Sequence, residues 1–181
     1  LSTGLADKLV TNDKDKAIAD EAAKFKTETG KDLPAYVIDR AKVNDNANRD
    51  TVVKNYVDGT IADKAKLDAT RAAAADTVLK SYEKAGYSEA QINRLIDSGA
   101  ATTFMNQIMD EKRGSVEQLR EYAKAVGDAK GTDSAEYKAA YKNALDGMAS
   151  YGGYGVTKDS AGNFSTTESG KLDPDTLVPT S

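Results

Sequence analysis

No histidine, cysteine or tryptophan occurs in this chain of 181 residues. Without histidine, the usual general base at neutral pH is missing. Without cysteine, there is no thiol nucleophile, no soft thiolate ligand for a metal and no disulfide to staple the fold. A basic excess is missing as well. The net charge is −4 and the pI is near 5.0, which argues against a nucleic-acid binder, because such proteins displace counterions with a basic face. Charge is not segregated either: residues 151–181 hold 2 basic and 4 acidic side chains, too few for a charged tail. A membrane-spanning helix needs a run of roughly 18 or more apolar residues. The longest small-residue run, Ala72 to Ala75, is short and lies between Arg71 and Asp76. No signal peptide is visible. The chain starts at Leu1 instead of methionine, which reads as processing or as a segment of a longer protein.

Leucine is scarce and alanine abundant. Burial contributes roughly 25 cal/mol per Å² of apolar surface, so an alanine-rich interior is a thin core. Nine tyrosines together with Phe25, Phe104 and Phe164 must then supply much of the buried area. High alanine content also favours helix outright.

Helix signals dominate residues 1–150. Leu1 to Val10 reads as a short helical turn, followed by a helix capped at Asn12 or Asp13. That helix runs to Thr29, carries Ile18, Ala22 and Phe25 on one face and stops at Gly30. Asp32 with Pro34 opens another helix, and residues 43–48 read as a loop rich in Asn and Asp. Thr51 to Val57 is β-branched, but its spacing favours a short helix ending at Gly59. Thr60 to Asp63 then reads as a shortened capping box that opens a long helix, with Ala65, Ala72 and Leu79 seven apart and Gly86-Tyr87 as a Schellman stop. Further capping boxes start at Ser88, Ser115 and Asp133, and Gly99, Gly114 and Gly127 read as stops. The sequences between these glycines do not match one another, so this is repeated punctuation and not a repeat family. Phe104, Met105, Ile108 and Met109 form a soft apolar face, read as core before partner groove.

From residue 151 the chain changes character. Tyr151-Gly152-Gly153-Tyr154-Gly155 reads as a flexible elbow. Residues 156–158 and 164–166 read as a β-hairpin, and the rest as an extended arm. The predicted fold is therefore mainly α: an irregular bundle of about six to eight short-to-medium helices over residues 1–150, with the elbow, hairpin and arm over 151–181.

The residues that could carry chemistry fall in helix caps and turns. The acidic stretches starting at Asp13, Asn44 and Asp159 place Ile18, Arg49 and Phe164 where a calcium loop needs glycine. The glycines of the elbow have no Lys-Ser or Lys-Thr behind them, so they are no phosphate loop. Glu83, Glu89 and Glu117 fall at helix starts or on polar faces, not in apolar settings that would make a general acid.

The expectation is a non-enzymatic structural or interaction protein without cofactor or metal. It docks into a larger assembly of protein partners or neighbouring copies through its C-terminal arm, with Tyr151, Tyr154, Val156, Phe164, Leu172 and Leu177 as contacts. A proteolytically processed phage virion or other particle component fits that description, as does a virion or extracellular location. A secreted or surface-attached helical binding protein is the alternative, and a histidine-free carboxylate enzyme acting on glycans the third reading.

Overall fold

A computed structural model describes residues 3–32, 51–166, 171–172 and 179–180. Among these are five helices: α1 (Thr3–Thr29), α2 (Thr51–Lys84), α3 (Glu89–Asp97), α4 (Ala100–Lys130) and α5 (Ala135–Tyr151). Four short strands follow: β1 (Val156–Lys158), β2 (Phe164–Thr166), β3 (Lys171–Leu172) and β4 (Pro179–Thr180). The mainly α fold with a small hairpin near the C-terminus is as expected from the sequence. Among the described residues no helix is long and apolar enough to cross a membrane.

Where helices stop depends on backbone chemistry that the sequence displays well. At the end of α2, Gly86 adopts φ 91°, which costs glycine no Cβ clash. Its N–H donates to the Glu83 carbonyl and the Tyr87 N–H to the Tyr82 carbonyl, the two bonds of a Schellman motif. The Tyr87 ring lies 5.5 Å from that of Tyr82, supplying the expected apolar contact across the stop. The Ser88 hydroxyl then accepts from Gln91 N–H, and the Gln91 side chain accepts from Ser88 N–H, so the capping box of α3 is complete. At α5 the cap is Ser134, whose hydroxyl accepts from Tyr137 N–H, one residue later than the Asp133 box read from the sequence.

Several expected boundaries are absent or displaced. α1 is one continuous helix, with Asn12 and Asp13 in its interior. α2 runs through Gly59 and Thr60, so no cap forms there. α4 runs through Gly114 and Ser115 and ends at Lys130, three residues past Gly127. The Ser115 hydroxyl donates back to the Glu111 carbonyl, an intrahelical use open to any mid-helix serine. Gly127 serves packing: a Cβ there would sit 2.8 Å from the Tyr137 ring. Gly147 on α5 likewise admits Leu119 and Val116 of α4. The expected loop over residues 43–48 and the helix start at Pro34 lie outside the described residues.

The chain divides into two compact units. The first draws on residues 1–48 and 72–106. Leu5 and Leu9 of α1, Ala74, Ala75, Val78 and Leu79 of α2, Ile92 and Ile96 of α3, and Ala101 and Met105 of α4 are its buried apolar residues. Lys8 ties α1 to α3 through Asp97 (2.7 Å) and Asn93 (3.0 Å), and Tyr82 meets Phe104 edge-on at 5.8 Å.

The second unit comprises residues 49–71 and 107–181. Its core joins Val116 and Ala123 of α4, Tyr137, Ala140, Tyr141, Ala144, Leu145, Met148 and Ala149 of α5, and Val156 of β1. β1 and β2 pair antiparallel with Thr157 opposite Ser165, and β3 pairs antiparallel with β4. The remainder of the expected arm lies outside the described residues.

The buried stripe of α2 differs from the alanine heptad expected. Ala65, Ala69 and Ala72 are exposed, while Asp63, Leu67, Thr70, Ala74 and Val78 turn inward. The inward face contains two polar residues, Asp63 and Thr70, that an apolar count passes over.

Candidate functional site

The elbow after α5 is fastened to α2 within the second unit. Gly152 has φ 84° and ψ 164°, a region essentially reserved for glycine. A Cβ on it would lie 2.2 Å from Leu67 N and 2.8 Å from the Asp63 carbonyl oxygen. The backbone of the elbow thus rests directly on the backbone of α2. One oxygen of the Asp63 carboxylate accepts from Gly153 N–H at 3.0 Å, and the other from Gly155 N–H at 3.2 Å. One turn or two further along α2, the Thr70 hydroxyl approaches the Tyr151 carbonyl at 2.8 Å and the Ser150 carbonyl at 3.3 Å. These bonds satisfy carbonyls that the end of a helix leaves without partners. The glycines therefore serve a close, hydrogen-bonded approach.

The two elbow tyrosines are half-buried and engaged inside the unit. Tyr151 donates from its hydroxyl to the Met109 carbonyl at 3.2 Å. Tyr154 donates to Glu117 at 2.9 Å, and its ring packs edge-on against that of Tyr151 at 5.9 Å. The guanidinium of Arg113 lies 5.4 Å from the Tyr154 ring centre and that of Arg120 lies 5.7 Å away. Arg113, Glu117 and Arg120 occupy positions i, i+4 and i+7 of α4, so one helix face presents them together to Tyr154. Burial opposes ionisation of Glu117. Hydrogen bonds from Tyr154 and Arg120 and the charges of Arg120 and Arg113 outweigh it and hold the carboxyl below its ordinary range. Burial, then the bond to Glu117, pushes the Tyr154 phenol up. Glu117 is thus an ionised structural acceptor in mid-helix, not a helix-start residue and not a poised acid.

The hairpin is anchored as well. Val156 is 5% exposed and belongs to the core, so it offers no external contact, and Phe164 packs partly buried against that core. Lys158 pairs with Asp146 of α5 at 2.7 Å and lies over the Phe164 ring at 5.5 Å. Asp159 closes the turn by accepting from Asn163 N–H at 2.8 Å, which holds its carboxyl low. Of the remaining expected contacts, Leu172 lies in β3 and Leu177 lies outside the described residues. Of six expected contacts, the structure thus brings Tyr151, Tyr154, Val156 and Phe164 into one anchoring cluster. Of the residues that hold it, Asp63 was read from the sequence only as part of a helix cap, and Thr70, Arg113 and Arg120 were not singled out. The alternating charges at 113, 117 and 120 and the polar pair 63 and 70 on an inward face were the available signals.

Among the described residues no group of three or more His, Cys, Asp or Glu is placed to hold a metal ion. No family model matches the chain, and no curated protein or solved structure matches it.

Proposed function

We propose that this chain is a structural or interaction protein, not an enzyme, and that it docks into a larger assembly through the segment beyond β2. What carries the reading is the anchoring of residues 151–166. The Asp63 clamp, the Thr70 bonds, the buried Val156 and the Lys158–Asp146 pair hold the hairpin on α2 and α5. A hairpin of this size is marginal alone in water, and here neighbouring helices support it. Such a base gives the following residues a fixed point of departure, which lowers the entropy lost when they bind. Hydrogen bonds hold the Glu117 and Asp159 carboxyls below their ordinary range, which suits structural roles.

The test is a truncation after Thr166, which spares Val156 and Phe164. Light scattering behind size-exclusion chromatography should find the full chain in concentration-dependent oligomers and the truncated chain monomeric with unchanged helicity. A full chain that stays monomeric, and from which protease trims the C-terminal residues without consequence, overturns the reading.

A second reading, a helical binding protein, draws on one observation. Tyr122 and Leu119 of α4 stand exposed at 63% and 38%, large apolar side chains on a helix that otherwise buries such residues.

A further inference from the structure

α4 and α5 border a groove of about 440 Å³ in the second unit, with Thr132 of the connecting turn in its lining. Its size lies within the range of small-molecule sites. The groove is lined by Tyr137 and Tyr141, one helical turn apart on α5, whose rings belong to the core and lie 5.6 Å from each other. The two residues are 4% and 7% exposed. Neither hydroxyl hydrogen-bonds another described residue, and neither oxygen is sealed from solvent, so both are open to a ligand in the groove. Along the facing side, Glu117, Arg120, Glu121, Lys124 and Asp128 of α4 line the groove. Glu117 and Arg120 pair with each other at 3.1 Å, whereas Glu121, Lys124 and Asp128 form no ion pair among the described residues.

The unspent groups are two phenols, two carboxylates and one ammonium. A carboxylate only accepts and an ammonium only donates, while a phenol does both. An anionic ligand would meet Glu121 and Asp128, and a cationic one Lys124 and Arg120. A ligand hydroxyl can donate to the carboxylates and accept from the ammonium and the phenols. We propose that this groove is a binding site for a neutral, hydroxyl-rich ligand, a carbohydrate of one or two sugar units, with Tyr141, Tyr137, Glu121, Lys124 and Asp128 as its polar contacts. Burial pushes the Tyr141 phenol up to about 12, so it remains a donor across the whole physiological range. No residue of the arm enters the proposal, and a chain truncated after Thr166 should bind as the full chain does.

The probes are three neutral disaccharides, maltose, cellobiose and N,N′-diacetylchitobiose, titrated into the full isotopically labelled chain, with glucuronate and spermidine as charged controls. At least one disaccharide should give saturable amide shifts confined to Gly127, Thr132, Tyr137 and their neighbours. Tyr141→Phe keeps the ring and removes the hydroxyl, and it should weaken binding about fivefold, the effect of one lost hydrogen bond. Asp128→Asn on the groove rim should weaken it similarly, which guards against a folding defect in the core variant. Absence of saturable groove shifts with all three disaccharides overturns the proposal. So does unchanged affinity in both variants, or stronger binding of glucuronate or spermidine than of any disaccharide.

Discussion

Replacing Gly152 with alanine tests the docked elbow most directly. The new Cβ would lie 2.2 Å from Leu67 N and 2.8 Å from both Leu67 Cα and the Asp63 carbonyl oxygen. These are backbone atoms of a helix, so no side-chain rotation relieves the overlap. The backbone at φ 84° and ψ 164° adds strain of about 1–3 kcal/mol for a residue with a Cβ. Overpacking against an unyielding wall adds about 1–3 kcal/mol more. Escape requires the elbow to lift away from α2, which breaks the bonds from Gly153 and Gly155 to Asp63 and withdraws Val156 from the core. Burying a valine is itself worth about 1.5–3 kcal/mol, so escape costs as much as the clash. The expected loss is about 3–5 kcal/mol, a large part of the ~5–15 kcal/mol that holds a domain folded. Urea unfolding followed by circular dichroism reads the total, and amide exchange at Gly153 and Gly155 reads the elbow. Gly162→Ala is the control. It also has positive φ, but its Cβ would meet only the Lys158 Cε at 3.9 Å, so about 1 kcal/mol is expected from strain alone. If Gly152→Ala costs no more than Gly162→Ala, the close approach of elbow to helix is refuted.

Asp63→Ala should speed exchange of the Gly153 and Gly155 amides and cost about 1.5–3 kcal/mol, since both donors lose a charged acceptor. Unchanged exchange would contradict the clamp. Gly114→Ala should stabilise by about 0.5–1 kcal/mol, because a mid-helix alanine there meets nothing within 4 Å, and thermal melting checks it. Gly127→Ala on the same helix should destabilise by about 1–3 kcal/mol, because its Cβ would press on the buried Tyr137 ring. Two glycines read as equivalent stops should thus respond with opposite signs. The Tyr141 phenol is pushed up to about 12 from an ordinary 10, so the folded state retains that proton where the unfolded state has lost it. Its contribution is fully present below pH 10 and is lost as pH rises through about 12. The total is at most about 2–3 kcal/mol, less what solvent in the groove screens. Tyr141→Phe should flatten that alkaline decline in urea midpoints, and an equal decline in the variant would reject the assignment.

Local chemistry was the legible part of the sequence. Gly86-Tyr87 and the Ser88–Gln91 box lie within a few residues of their partners, and both form as read. The hairpin was legible for the same reason: two short β-prone runs bracket a turn that Asp159 and Asn163 close between themselves. The same signals misled at Gly59, Gly114, Ser115 and Gly127. A glycine costs an α-helix only about 1 kcal/mol, and tertiary packing repays that easily. Nothing local to Gly127 announces the ring of Tyr137, ten positions later, that takes the space of its missing side chain. Asp63 shows the same limit more strongly. Its use depends on two amides about 90 residues away, and its own neighbours, Thr60 and Ile61, match a helix start that the chain does not make.

The glycines therefore carry two different physical messages. Gly86 ends a helix because its left-handed backbone lets two amides turn back to the carbonyls of Tyr82 and Glu83. Gly152 has positive φ too, but its larger contribution is the missing Cβ, which lets chain meet chain at backbone distance and places two N–H groups on one carboxylate. The first use shapes α2 alone. The second joins the end of α5 to the middle of α2, so the elbow, the Tyr151–Tyr154 pair and β1 become part of one core. A glycine-rich elbow chosen for mobility would tolerate alanine and serine at these positions. One chosen for contact would not, and the aromatic and ionic neighbours of Tyr154 would loosen together when Gly152 is replaced. Fluorescence cannot isolate that response among nine tyrosines, but the side-chain resonances of Arg113 and Arg120, shifted by the Tyr154 ring, can. Their return to unshifted positions in Gly152→Ala would tie the backbone contact to the cation–π cluster, and their persistence would separate the two.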